Sequence, residues 1–76
     1  MTVTYELTDT FGGEANYCWA RSGSVNVKEG ASQLAIVRAA KAAAGIAGSR
    51  CRKVDFGDLI CLYPYGANVV LFINIY

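Results

Sequence analysis

The sequence of 76 residues contains no histidine, only one proline and few charged residues, which make up 17% of the chain. Without histidine, the Ser-His and Cys-His arrangements of nucleophilic catalysis are impossible, and the usual general base near neutral pH is missing. Because 54% of the residues are hydrophobic, the composition is typical of a compact globular protein and excludes a disordered chain. We therefore expect a binding protein rather than an enzyme.

The chain contains three cysteines. Cys18, Cys51 and Cys61 are odd in number, and none of them lies in a Cys-x-x-Cys spacing, so neither a disulfide framework nor a metal site is indicated. The opening Met-Thr-Val-Thr-Tyr-Glu lacks the charged start and apolar run of a signal peptide, and no apolar run reaches the roughly 18 residues that span a bilayer. We expect a reduced cytoplasmic setting without a membrane partner, where each cysteine is a small buried hydrophobic residue of a strand.

Alternating and helical patterns divide the chain into elements in the order β-β-α-β-β-β. Strands are predicted over residues 2–8, 14–21, 51–55, 59–63 and 68–75, and a helix over residues 31–44. The first two strands form a hairpin connected by residues 9–13, and Ser22-Gly23-Ser24 interrupts the second strand as a bulge or loop. The predicted fold is α+β, a single domain of residues 1–76 with an antiparallel sheet of four to five strands and one helix on one face.

The predicted helix has a face of small residues on which it can approach the sheet closely. Steps of about 100° per residue place these residues on that face: Ile36, Ala39, Ala40, Ala43 and Ala47. The opposite side carries Leu34, Arg38 and Lys41. Because Leu34 is apolar but lies on the charged side, either the helix is rotated to bury it or Leu34 forms an exposed apolar contact.

The fifth predicted strand is apolar on both faces, which is typical of a central strand in a sheet covered on both sides. Val70 and Phe72 lie on one face, and the other face carries Val69, Leu71, Ile73 and Ile75. One helix covers only one of these faces. The other face is covered by the chain's own loops and aromatic rings, by a second copy in a homodimer, or by a different protein.

Basic residues are concentrated in the middle of the chain, although the net charge is only +1. Residues 30–54 hold no acidic residue and these basic ones: Arg38, Lys41, Arg50, Arg52 and Lys53. Together with Leu34 they define a candidate basic face for nucleic acid, with tyrosine or tryptophan rings for base stacking. The small net charge and the lack of a ribonucleoprotein motif make direct nucleic-acid binding the second choice.

Acidic residues surround the predicted first hairpin. Glu6, Asp9 and Glu14 lie there, and Asp55 and Asp58 are candidates to join them. Such carboxylates can imitate phosphate spacing and occupy the basic groove of a nucleic-acid-binding partner, with Phe11, Tyr17 and Trp19 as apolar anchors. The simpler interpretation is a solvated sheet edge. Catalysis by the pairs Glu6 with Glu14 or Asp55 with Asp58 is a weaker alternative.

Three segments carry a resemblance to known proteins: Thr8 through Trp19, Ile36 through Lys41, and Arg50-Cys51-Arg52. They resemble small proteins of bacteriophages and mobile elements, and the chain's size is similar to that of the anti-CRISPR proteins. The resemblance implies a stoichiometric inhibitor, without a cofactor, in the cytoplasm of a bacterial host. It would bind a Cas subunit of a type I surveillance complex and block target DNA binding. Anti-CRISPR proteins share no diagnostic motif, so the resemblance assigns no site residues.

Overall fold

The computed structural model describes residues 1–75 and confirms the predicted order of elements. The strands are β1 (Thr2–Phe11), β2 (Glu14–Asn26), β3 (Cys51–Asp55), β4 (Leu59–Pro64) and β5 (Val69–Asn74), and the helix is α1 (Gln33–Ala44). All neighbouring strands are antiparallel, and the five-stranded sheet has the order β2-β1-β5-β4-β3. The fold is therefore α+β, as the sequence pattern predicts.

The first hairpin is longer than its pattern predicts. β1 continues through Phe11, so Gly12 and Gly13 alone form the turn. Their φ angles of 62° and 84° fit a two-residue type I′ turn, which needs positive φ at both positions. The predicted connection over residues 9–13 is therefore wrong, because glycine at both central positions allows the tightest hairpin turn.

The predicted interruption of β2 at Ser22-Gly23-Ser24 is also wrong. These three residues pair in regular register with Glu6, Tyr5 and Thr4 of β1. The irregularity lies earlier, where Thr8 pairs with Ala20 and Thr10 pairs with Ala15. The inserted residues form what we call the Asn16–Trp19 bulge.

Helix α1 begins and ends at well-defined caps. The Ser32 side chain accepts a hydrogen bond from Ala35 N at 3.2 Å, and Gly45 ends the helix in the left-handed conformation with φ of 84°. The helix buries Ile36, Ala40 and Ala44. The predicted face is thus correct for Ile36 and Ala40, whereas Ala43 is exposed and Ala47 lies beyond the helix.

The hydrophobic core lies between α1 and one face of the sheet. It contains these buried residues: Val3, Leu7, Ile36, Ala40, Ala44, Ile60, Leu62, Leu71 and Ile73. β5 is the middle strand and sends Leu71 and Ile73 into this core, so its predicted central position is confirmed. Leu34 is 61% exposed, which settles its two alternatives in favour of an exposed apolar side chain.

The opposite face of the sheet, which we call the far face, is partly covered by the chain itself. Val70 and Thr8 are cross-strand partners on this face, and both are fully buried. Thr8 Oγ1 donates a hydrogen bond to Trp19 O at 2.8 Å, so the Asn16–Trp19 bulge lies over this part of the sheet. The apolar surplus of β5 is therefore covered here within one chain rather than by a packed partner.

Candidate functional site

The hairpin end is the first candidate surface, and we define it as residues 11–14 with the Asn16–Trp19 bulge. Asp9 holds the bulge in place. Asp9 Oδ1 accepts a hydrogen bond from Cys18 N at 2.8 Å, and Asp9 Oδ2 accepts one from Asn16 Nδ2 at 3.0 Å. The hydrogen bond from Asn16, with those from the backbone of Cys18 and Trp19, lowers the pKa of Asp9 below its ordinary value. Asp9 is thus a structural residue of this surface rather than a free contact.

Three large aromatic side chains are exposed at the hairpin end. Phe11 is 80% exposed, Tyr17 56% and Trp19 42%. Tyr17 has a φ of 56°, a left-handed conformation that is rare for a residue with a large side chain. Since such a conformation persists only when surrounding contacts enforce it, the bulge presents its rings from a fixed backbone.

A groove on the far face adjoins the bulge. Its volume is about 670 Å³, and its lining includes Glu6, Tyr17, Ser22, Leu59, Phe72 and Asn74. Partial desolvation raises the pKa of Tyr17, and the neighbouring Glu6 carboxylate raises it further. Glu6 and Tyr17 are therefore brought together, as a contact surface would need. Leu59 and Phe72 were not predicted as lining residues of a site, because their exposure depends on what covers the far face.

The acidic residues predicted to lie together are found at different ends of the sheet. Glu14 pairs with Phe11 at the hairpin end. Asp55 and Asp58 flank the turn between β3 and β4, and the antiparallel order of the strands places that turn at the opposite end of the sheet. Asp55 accepts hydrogen bonds from Gly57 N at 2.8 Å and Gln33 Nε2 at 2.9 Å, which lower its pKa. Asp55 and Asp58 do not join the carboxylates of the first hairpin.

A second groove, the basic groove, lies between α1 and β3. Its volume is about 570 Å³, and its lining includes Leu34, Val37, Lys41, Arg50, Lys53 and Tyr65. Lys41 Nζ donates a hydrogen bond to Ser49 O at 2.6 Å, and Lys53 Nζ donates one to Gln33 Oε1 at 2.9 Å. Neither acceptor carries a charge, so these hydrogen bonds orient the two ammonium groups. The Asp55 carboxylate, which accepts a hydrogen bond from the same Gln33 side chain, offsets part of the Lys53 charge.

Two residues of the predicted basic face lie outside this groove. Arg38 is exposed on α1 but does not line it. Arg52 lies on the far face, where its guanidinium stacks over the Tyr63 ring at 4.5 Å from the ring centroid. The alternation of side chains along β3 explains this separation, because Arg52 and Lys53 are consecutive and point to opposite faces. Gln33, Ser49 and Tyr65 complete the groove and were not predicted from the sequence.

The cysteines differ in their surroundings. Cys61 is buried on the far face and desolvation raises the pKa of its thiol, whereas Cys51 is half-buried and Cys18 is exposed on the bulge. The prediction of burial is therefore wrong for Cys18, because the bulge turns this residue outward. Within residues 1–75, no cluster of three or more potential metal-ligating side chains is found. In the same part of the chain, no helix is long and apolar enough to cross a membrane.

Comparison of the chain with known protein families, characterised proteins and solved structures gives no significant match.

Proposed function

We propose that this protein is a small non-enzymatic inhibitor of the anti-CRISPR type, which binds its target protein through the hairpin end. The observation that carries the proposal is the set of three exposed rings, Phe11, Tyr17 and Trp19, of which Tyr17 and Trp19 lie on the bulge held by Asp9. Tyrosine and tryptophan are enriched among residues that dominate binding energy, and a preorganised loop loses little conformational entropy on binding. A surface of this kind favours protein binding.

The charge at this end suggests the chemistry of the target. Glu6 lies beside Tyr17, and Glu14 is the cross-strand partner of Phe11. One basic side chain is also near the rings, since the Arg21 guanidinium stacks over Trp19 at 5.8 Å from the ring centroid. A basic protein surface would complement the carboxylates and be steered toward them. A DNA-binding channel of a type I surveillance complex has this chemistry, which agrees with the inhibition that the sequence resemblance implies.

A DNA-competition assay on a purified type I surveillance complex tests the proposal. Excess protein should reduce the binding of target DNA, and the double variant Phe11→Ser with Trp19→Ser should lose this effect. Phe56→Ser is the matched control, because Phe56 is 64% exposed at the opposite end of the sheet. Unchanged DNA binding with excess protein would contradict the assigned activity. Equal potency of the double variant would contradict the assigned surface.

Charge reversal gives a second test of the same surface. Glu14→Lys should weaken inhibition, whereas Asp58→Lys at the opposite end should leave it unchanged. Asp9 is unsuitable for this purpose because its replacement releases the Asn16–Trp19 bulge. If Asp58→Lys weakened inhibition and Glu14→Lys did not, the contact would lie at the turn between β3 and β4.

The second candidate is a nucleic-acid-binding accessory protein, and the basic groove favours it. Lys41, Arg50 and Lys53 line one groove with the exposed Tyr65 ring, an arrangement able to hold a phosphate backbone beside a stacking base. An electrophoretic shift with single-stranded and duplex DNA should then be positive and fall steeply with salt. The combined variant Arg50→Gln with Lys53→Gln should abolish it, and Arg38→Gln is the control outside the groove.

A further inference from the structure

The two edges of the sheet differ in the protection they carry against pairing with another strand. β3 is a short edge of five residues, and Arg52, Lys53 and Asp55 place charges along it. Short length and charge are the usual means by which proteins prevent an edge from pairing. β2 is the other edge and has 13 residues. Over its regular stretch 20–26, the only charged residue is Arg21, and there is no proline and no bulge.

The register of the first hairpin shows which backbone groups of this stretch point away from β1. Met1 and Val27 exchange both hydrogen bonds, Met1 N to Val27 O at 2.7 Å and Val27 N to Met1 O at 2.9 Å. Hydrogen-bonded and non-hydrogen-bonded pairs alternate along an antiparallel ladder. The backbone N–H and C=O groups of the odd-numbered residues in this stretch therefore point toward β1. The backbone groups of four residues therefore point outward: Ala20, Ser22, Ser24 and Asn26.

The side chains of these four residues also leave the edge open. All four are small or uncharged, and all are exposed. On the helix side, the Tyr5 ring lies against Gly23, where an added Cβ would be only 2.7 Å from Tyr5 Oη. At the middle of the edge, the Tyr5 ring therefore occupies the space on the helix side where a side chain of residue 23 would stand. Gly23 itself has no side chain that could obstruct an approaching strand.

We propose that stretch 20–26 of β2 pairs antiparallel with the same stretch of a second copy, around a two-fold axis at Gly23. In this register Ser22 faces Ser24 of the other copy, Ala20 faces Asn26, and Arg21 faces Val25. Every outward backbone group of the four residues then has a partner, and no charged residue faces another charge. The chain's net charge of +1 adds little repulsion between copies. Self-pairing joins two sheets into one continuous ten-stranded sheet.

This inference does not depend on the proposed function, since it uses the edge of β2 and not the aromatic rings of the hairpin end. It also differs from a homodimer through the far face, where Val70, Thr8 and Cys61 are already buried in a single chain.

Sedimentation over a wide range of protein concentration should show a monomer–dimer equilibrium. Ser24→Pro removes an outward N–H from each copy while leaving the pairing of β2 with β1 intact, so it should raise the dimer dissociation constant roughly tenfold or more. Ser24→Thr keeps the N–H and should dimerise like the wild type. A monomer at every concentration would overturn the proposal, and so would a dimer that is insensitive to the proline.

Disulfide cross-linking tests the register between the two copies of β2 without introducing a proline. A Ser22→Cys variant mixed with a Ser24→Cys variant, each also carrying Cys18→Ser, should form an interchain disulfide under mild oxidation. The Cα atoms of a hydrogen-bonded antiparallel pair are about 5.5 Å apart, within the usual range for disulfides. Either variant alone should cross-link more slowly, because identical positions are not directly opposite. Equal rates for the mixture and for the separate variants would overturn the register, and no cross-link would overturn the pairing.

Discussion

At the residue scale, Asp9 determines the shape of the hairpin end. Its carboxylate receives hydrogen bonds from the Asn16 side chain and from the Cys18 backbone, so a residue in β1 holds a segment inserted into β2. Thr8 adds a second link through Trp19 O. Charge-assisted hydrogen bonds of this type are stronger than neutral ones, which explains why a bulge with positive φ at Tyr17 is stable.

Asp9→Asn should loosen the Asn16–Trp19 bulge while the rest of the sheet stays folded. The amide accepts fewer hydrogen bonds and carries no charge, so the Cys18 and Asn16 contacts weaken. Trp19 is the only tryptophan, and its fluorescence therefore reports on the bulge alone. We expect a shifted emission and faster quenching in the variant. Asp58→Asn is the control, and identical spectra for Asp9→Asn and wild type would contradict the role of Asp9.

Acid should release the same bulge. The pKa of Asp9 lies below its ordinary value of 3.8, so the stabilisation is fully present above that pH and is lost as the pH falls through the lower, folded-state pKa. Trp19 fluorescence should be constant from neutral pH to about pH 4 and change only under more acidic conditions. In Asp9→Asn this acid transition of the tryptophan signal should be absent. A transition that began above pH 4 would show that another group controls the bulge.

Gly23→Ala should destabilise the fold although Gly23 lies in a regular strand. The new methyl group would stand 2.7 Å from Tyr5 Oη and 2.9 Å from Tyr5 Cζ, so the ring must move from its position near Ala43 O. Overpacking of this kind costs about 1–3 kcal/mol. Denaturant unfolding measures the change, and Ser24→Ala at the next position should stay within about 0.5 kcal/mol of wild type.

At the element scale, α1 shows how an amphipathic pattern fixes the inward face of a helix but leaves its exact rotation open. Ile36 and Ala40 face the core as predicted, and the third inward position is Ala44 rather than Ala43. Because alanines occupy most of this helix, the pattern cannot distinguish neighbouring positions of equal size and hydrophobicity. Packing against β1, β2 and β5 selects the rotation instead.

Two apolar residues of α1, one buried and one exposed, should differ in how much they contribute to the free energy of unfolding. Ile36 is 4% exposed, so Ile36→Ala should cost about 2–5 kcal/mol of unfolding free energy. Leu34 is 61% exposed, and Leu34→Ala should change stability by less than about 0.5 kcal/mol. Denaturant unfolding of both variants provides the measurement. A large loss in Leu34→Ala would indicate that Leu34 is buried in solution, either by a rolled helix or by another molecule.

At the scale of the whole molecule, the main question raised by the sequence is how one helix accompanies a sheet with two apolar faces. The folded hairpin supplies part of the answer, since the bulge of β2 folds over Thr8 and Val70. The central strand therefore does not require a partner at this point. Among the surfaces that residues 1–75 leave accessible are the far-face groove, the basic groove and the two sheet edges.

The reactivity of the three thiols tests whether the Asn16–Trp19 bulge covers the far face of the sheet. A thiol reagent should modify exposed Cys18 first, half-buried Cys51 next and Cys61 last, because Cys61 is 3% exposed and desolvation raises the pKa of its thiol. Mass spectrometry after timed labelling gives the order. Asp9→Asn should speed the labelling of Cys61 relative to Cys51, since the loosened bulge no longer shields the far face. Rapid labelling of Cys61 in the wild type would show that the far face is open.

The sequence by itself determined the order of elements, the central place of β5 and the inward position of Ile36, because alternation, helical period and glycine-rich turns are local signals. Tertiary structure alone decided where the irregularity of β2 falls, since Asp9 meets Asn16 and Cys18 only after the hairpin has paired. It also decided that Asp55 and Asp58 lie away from Glu14, and that Arg52 leaves the basic groove. Strand order and strand faces place such residues, and these depend on pairing between segments distant in sequence.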